Sequence, residues 1–123
     1  MPVDLAGLER FFQGAPLGRR VYDAVAERLL VHDDVSTRVT KSQVAFRRRR
    51  GFCWVWLPGR YLSHPGAEVV LSLALERADP DPRWKQVVDV GRGRWMHHLE
   101  VQAVAELDAQ VDRWLEEAYA LAG

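Results

Sequence analysis

Cysteine is almost absent from this chain. Cys53 stands alone among 123 residues, which excludes an internal disulfide and a thiolate-rich metal cluster. Long apolar runs are missing too, which excludes a membrane-spanning helix. The opening residues MPVDLAGLER mix charges where a secretory leader needs a basic segment followed by an apolar one. These absences lead to the expectation of a cytoplasmic protein that stays clear of the membrane. A glycine-rich phosphate loop is also lacking: Gly91-Arg92-Gly93-Arg94 has neither the spacing nor the following helix, and reads as a turn. There is no repeat, linker or low-complexity tract, so residues 1–123 are expected to form a single domain.

Net charge is absent as well, since 17 basic residues face 17 acidic ones, but the two signs are segregated. Arg19 to Arg50 holds nine cations (Arg19, Arg20, Arg28, Arg38, Lys41, Arg47, Arg48, Arg49, Arg50) against four acids (Asp23, Glu27, Asp33, Asp34). Glu100 to Gly123 holds six acids (Glu100, Glu106, Asp108, Asp112, Glu116, Glu117) against Arg113 alone. Either the two regions neutralise each other within the fold, or a basic face is kept for an anionic partner. Internal pairing is the simpler of the two, because it needs no partner.

Leu5, Leu8 and Phe12 share a helical face, and Val21, Val25 and Leu29 mark a second helix over about 17–31. Strands are expected at 36–41, 44–49, 52–57 and 69–75, with weaker signals at 86–90 and 95–101. Asp79-Pro80-Asp81-Pro82 is a rigid loop that no strand can cross. Leu107, Val111, Trp114, Leu115 and Ala118 form one stripe, predicting a long helix over 104–121. The order predicts an α+β domain: an antiparallel sheet of about five or six strands, with N-terminal helices and one long C-terminal helix packed on one face.

The richest stretch is VTKSQVAFRRRRGFCWVWL, from Val39 to Leu57. If Arg50-Gly51 is a two-residue turn, Arg49 faces Phe52, Arg47 faces Trp54 and Ala45 faces Trp56. With Ser42-Gln43 as a second turn, Val39, Phe46 and Val55 form an apolar row under the helices. Cys53 takes the same core-facing parity. The opposite, open face then carries Arg38, Thr40, Arg47, Arg49, Phe52, Trp54 and Trp56, with Val70, Ser72 and Ala74 beside them. Small residues next to two indoles make a shallow trough, and Arg38, Arg47, Arg49, Trp54, Trp56, Ser72 and His98 are its candidate ligand-binding residues.

Three uses compete for this face. A small ligand or protein partner could lie in the trough. A nucleic acid could stack bases on Trp54 and Trp56 while the Arg47–Arg50 run neutralises phosphates. The tryptophans could instead pack against the 79–89 hairpin or a second copy of the chain in a homodimer, which is the commoner fate of tryptophan. Catalysis comes last and would rest on His98 and Glu100 as an acid–base pair. His97 and His98, as strand neighbours, point to opposite faces and cannot readily chelate one metal ion, so no metal or cofactor is expected.

Thr40-Lys41-Ser42-x-x-Ala45-Phe46, Phe52, Asp81-Pro82-Arg83-Trp84, Trp95-x-His97-His98, Ala105-Glu106-Leu107-Asp108 and Trp114-Leu115-x-x-Ala118-Tyr119 occur in one order from about Arg20 to Leu121. Together they resemble the bacterial family called domain of unknown function 5655. The resemblance implies a small α+β domain, similar in outline to YdhG and frataxin-like proteins, with no assigned reaction and no catalytic residue to carry over. Some relatives are fused to nuclease-like domains, which implies an accessory binding role. Ala103-Val104 stands where relatives have a Ser-Pro helix start, so the usual capping oxygen is missing there. The Arg47–Arg50 run is also denser than the family's pattern. Iron handling of the frataxin type needs an acidic ridge. Here Glu9, Asp23 and Glu27 are interleaved with Arg10, Arg19, Arg20 and Arg28, which argues against iron. The expectation is a non-enzymatic module that binds a ligand or partner on the open sheet face.

Overall fold

The computed structural model describes residues 3–123. Three helices, α1 (Leu5–Phe11), α2 (Pro16–Leu29) and α3 (Ala109–Leu121), accompany six strands. The strands are β1 (Ser36–Val39), β2 (Val44–Arg47), β3 (Gly51–Trp56), β4 (Val69–Leu75), β5 (Gln86–Gly91) and β6 (Arg94–Val101). All neighbouring strands run antiparallel in the order β1-β2-β3-β4-β6-β5. The rigid 79–82 segment carries the chain past one strand position, and the β5–β6 hairpin turns back to fill the gap. Arg92 closes that hairpin at φ 57° between Gly91 and Gly93, at φ 89° and 74°.

Helix starts follow local chemistry. The Asp4 carboxylate caps α1 by accepting from the Gly7 N–H at 2.9 Å. Pro16 opens α2, which has no capping side chain of its own. Glu68 supplies one from another element, accepting from the Gly18 N–H at 2.8 Å. The C-terminal helix starts later than the hydrophobic stripe predicts. Val104–Glu106 is a short 3-10 turn, and α3 begins only after Asp108, whose side chain accepts from the Val111 N–H at 3.2 Å. The missing cap at Ala103 and the strong one at Asp108 together move the start.

Two cross-sheet rows form the floor of the core: Val39-Val44-Val55-Leu71-Leu99 and Thr37-Phe46-Cys53-Leu73-His97-Val87. The helices cover this face with Leu8, Phe11, Phe12, Val21, Val25, Leu29, Val111, Trp114, Leu115 and Ala118. Cys53 lies fully inside this layer, and burial pushes its thiol well above the ordinary range, so it is an inert packing group.

The register between β2 and β3 differs from the two-residue Arg50-Gly51 turn expected from the sequence. Val44 faces Val55, Ala45 faces Trp54, Phe46 faces Cys53, and a bulge then sets Arg47 opposite Gly51. An even shift keeps Trp54 and Trp56 on the expected face, because side chains alternate with period two. Phe52 is the exception. As the extra residue of the bulge it escapes the alternation and turns under α3, fully buried with its ring edge-on to Tyr119 at 6.1 Å. Arg49 is displaced too, into the turn, where its N–H donates to the Ala122 carbonyl at 3.1 Å beside the end of α3. The first hairpin closes on Lys41-Ser42 rather than Ser42-Gln43, with the Thr40 N–H donating to the Gln43 carbonyl at 2.9 Å. Val39 therefore faces Val44 instead of Phe46.

Candidate functional site

The face away from the helices carries a continuous row across all six strands: Arg38, Ala45, Trp54, Ser72, His98 and Gln86. Flanking it are Trp56-Val70-Glu100 on one side and Ala74-Met96-Val88 on the other. Ala45, Val70, Ser72 and Ala74 are buried as the floor, while Trp54, Trp56, Met96 and His98 stand half-buried around it. They enclose an open cavity of about 350 Å³ lined by Gln43, Trp54, Trp56, Ser72, Met96 and His98.

Of the residues expected to form the trough, Trp54, Trp56, Ser72 and His98 come together. Arg38 and Arg47 lie on the same face but outside the lining, and Arg49 is not part of it. Gln43 and Met96 complete the lining. Neither is among the residues expected from the sequence: Met96 shares the parity of His98 along β6, while Gln43 falls in the expected Ser42-Gln43 turn. The tryptophans do not pack against the 79–89 hairpin. The 79–84 part of that segment folds onto α3 on the other side of the sheet.

One polar chain runs through the trough. The Trp56 indole N–H donates to Ser72 Oγ at 2.8 Å, and Ser72 Oγ lies 2.6 Å from His98 Nδ1. Indole can only donate, so Ser72 accepts from it; among the described residues Ser72 Oγ has no partner besides Trp56 and His98, so its hydrogen goes to His98 Nδ1. This fixes His98 as the Nε2–H tautomer. Burial, and secondarily His97 nearby, hold its pKa below the ordinary histidine range. Glu100 makes no hydrogen bond with His98. Its carboxylate lies instead over Gly66, where an added Cβ would overlap it. Ser72 is 2% exposed, and its oxygen is engaged by Trp56 and His98.

At the trough's edge Tyr61 leans toward Trp56 at 6.4 Å, and its hydroxyl donates to the Ser42 carbonyl at 3.4 Å. Gly51 has room for no side chain, since an added Cβ would sit 2.9 Å from the Trp54 ring.

The four-arginine run divides. Arg48 pairs with Asp34 at 2.7 Å, donates to the Tyr119 carbonyl at 3.1 Å and covers the Tyr119 ring at 4.2 Å. Arg50 donates to the Leu121 carbonyl at 3.1 Å and pairs with Glu76 at 3.3 Å. Both neutralise the negative end of α3. Four of the six acids of the C-terminal segment are likewise engaged internally, through Arg28–Asp112, Arg77–Glu117, Arg83–Asp108 and His32–Glu116. Arg38, Arg47 and Arg49 are exposed and form no ion pair among the described residues.

The neighbouring histidine does different work on the opposite face. His97 is fully buried. It accepts the Asp79 N–H at Nε2 at 3.0 Å and donates from Nδ1 to the Trp95 carbonyl at 3.0 Å. Trp84 meets it edge-on at 4.9 Å and lies tilted against Trp114 at 4.1 Å. Arg83 reaches Asp108 at 3.0 Å and the Glu106 carbonyl at 2.8 Å. Residues that carry the family resemblance thus meet here, in a clasp fastening the 79–84 loop to α3.

Burial, opposed by the Trp95 carbonyl and Asp79, holds the His97 pKa below its ordinary value. Both histidines therefore resist protonation in the folded state more than in the unfolded chain. Their stabilising contribution is complete above the unfolded pKa of about 6.5 and is lost as pH falls below it, by at most about 1.4 kcal/mol per histidine per pH unit. Urea midpoints should fall between pH 7.5 and 5.5. A midpoint that holds or rises over that interval would contradict the neutral assignment.

A family model described as domain of unknown function (DUF5655) matches residues 9–122. Neither the curated proteins nor the solved structures contain a significant match, so the likeness in outline to YdhG and frataxin-like proteins finds no support there. Among the described residues, no helix is long and apolar enough to cross a membrane.

Proposed function

We propose, on the premise that the chain belongs to the DUF5655 family, that this protein is a binding module whose open sheet face takes a small planar ligand. The observation that carries the reading is the cavity of about 350 Å³ between Trp54, Trp56, Met96 and His98, floored by Ser72. That volume lies at the lower end of small-molecule sites, and its wall of aromatic area with a few polar groups is the composition such sites share. The indoles supply contact area, and Gln43 and His98 supply direction. Arg38 and Arg47, at the margin of the face, attract an anionic substituent.

Trp54→Ala is expected to weaken ligand binding about tenfold or more, since stacking on one aromatic face contributes roughly 1–3 kcal/mol. It should leave the fold intact, because the side chain is half-exposed. Trp54 and Trp56 indole resonances, followed while a fragment collection is titrated, provide the check. Ligands that bind the Trp54→Ala variant with unchanged affinity would place the site elsewhere.

A nucleic acid on the same face is the second reading, favoured by Arg38 and Arg47, which lie on the face of the indoles without ion pairs among the described residues. With Arg38 and Arg47 engaged, single-stranded binding should show a log–log salt slope of about −1.4. Quenching of tryptophan fluorescence by an oligonucleotide with that slope would favour this reading. Quenching absent at low salt would remove it. A homodimer through the face is tested by sedimentation, with a charge at Trp56 expected to yield monomers.

A further inference from the structure

The trough carries a hydrogen-bond polarity that restricts what can occupy it. We propose that it selects planar ligands bearing an anionic acceptor, aromatic carboxylates being the simplest class, and that Ser72 is the residue imposing this choice. The inference rests on the reading of the trough as a ligand site. Its basis is the chain from the Trp56 N–H to Ser72 Oγ at 2.8 Å and from Ser72 to His98 Nδ1 at 2.6 Å.

Because Nδ1 is taken as an acceptor, the His98 proton resides on Nε2. No buried side-chain nitrogen or oxygen lacks a partner among the described residues, and Nε2 has none, so Nε2–H reaches the open cavity. The trough thus offers a fixed donor where an unconstrained histidine would offer either a donor or an acceptor. The Trp56 N–H is spent on Ser72 and cannot compete for the ligand. A chain of aligned hydrogen bonds also polarises its last donor.

The charge around the trough supports an anion over a neutral carbonyl. Arg38 lies on the same cross-sheet row as Trp54, Ser72 and His98, and Arg47 lies toward the Gly51 end of that face. Glu100, the acid two residues from His98, sits in the Trp56-Val70 row with its carboxylate over Gly66, so it leaves His98 Nε2–H to the ligand's carboxylate, which the arginines attract from the margin of the face.

Benzoate, benzamide and benzylamine share one ring and differ as anionic acceptor, neutral acceptor and cationic donor. Titrated separately against the nitrogen-labelled protein, they should bind in that order, with millimolar dissociation constants suited to single rings. Benzoate should exceed benzylamine by about tenfold. Ser72→Ala should cut benzoate binding about fivefold without changing benzylamine. The same variant should convert the single Nε2–H tautomer of His98, read from its ring nitrogens, into a mixture.

His98→Leu, at a half-buried position, is the second variant, and there benzoate should lose its advantage. Equal binding of all three probes, or an unaffected Ser72→Ala variant, overturns the inference while the trough remains a ligand site. Indole resonances of Trp54 and Trp56 unmoved by any probe overturn both.

Discussion

Replacing His97 by alanine is expected to destabilise the protein by about 3–5 kcal/mol, while the same change at its neighbour His98 costs no more than about 1.5 kcal/mol. His97 fills a fully buried position against Trp84 and Leu73, so its removal leaves a cavity that the surrounding indoles cannot close, costing roughly 2–3 kcal/mol. It also strands the Asp79 N–H, now bonded to Nε2 at 3.0 Å, for about 1–2 kcal/mol more. The damage should spread through the clasp. The Asp79 carboxylate accepts from Trp84 Nε1 at 2.7 Å and from Arg77 at 2.6 Å, and Arg77 in turn holds Glu117 on α3. Loosening Asp79 therefore loosens the attachment of the β4–β5 connection to the helix layer. Urea denaturation of both variants provides the measurement. Equal losses at the two positions would mean that the row containing Leu73 and His97 is not the core-facing one, and the sheet register would have to be redrawn.

That contrast is the reverse of what ligand binding should show, with His98 mattering and His97 silent. Adjacent residues on a strand belong to opposite faces, and here one face is a core and the other a trough. The two residues look alike in sequence, yet their partners share nothing. Parity alone separates them, and it also brings Trp54, Trp56, Ser72 and His98 together in the sequence. Alternation survives an error of two residues in pairing, which is why the trough was legible even though the turn was placed wrongly. Arginines were less legible. Four in a row leave a patch for a polyanion open beside internal pairing, but Arg48 and Arg50 reach the carbonyl end of α3, an acceptor some seventy residues away in the chain. No local pattern announces such a partner. The start of α3 was misplaced for a related reason: the apolar stripe continues through Leu107, but the Asp108 cap decides where helical hydrogen bonding begins.

Phe52→Ala is expected to cost about 3–5 kcal/mol, the usual range for emptying a buried phenylalanine site. Simple alternation along Phe52, Trp54 and Trp56 puts all three rings on the open face, where truncating the first would cost about 1 kcal/mol. The bulge between Phe46 and Arg47 breaks that alternation. It inserts one residue into β3 relative to β2, and the inserted side chain follows Cys53 to the helix side and meets Tyr119. Tyr119 is fixed from three directions: His32 stacks on it at 3.8 Å, Arg48 covers it at 4.2 Å, and its hydroxyl donates to Asp34 at 2.8 Å. A cavity beside so constrained a ring has little freedom to collapse, which places the cost toward the upper end of the range. Arg49→Ala, an exposed turn residue without an ion pair among the described residues, should change stability by less than about 0.5 kcal/mol. Equilibrium unfolding of the two variants decides between the registers. A loss near 1 kcal/mol for Phe52→Ala would return Phe52 to the trough, widen the aromatic wall by a third ring and restore Arg49 as its flanking charge.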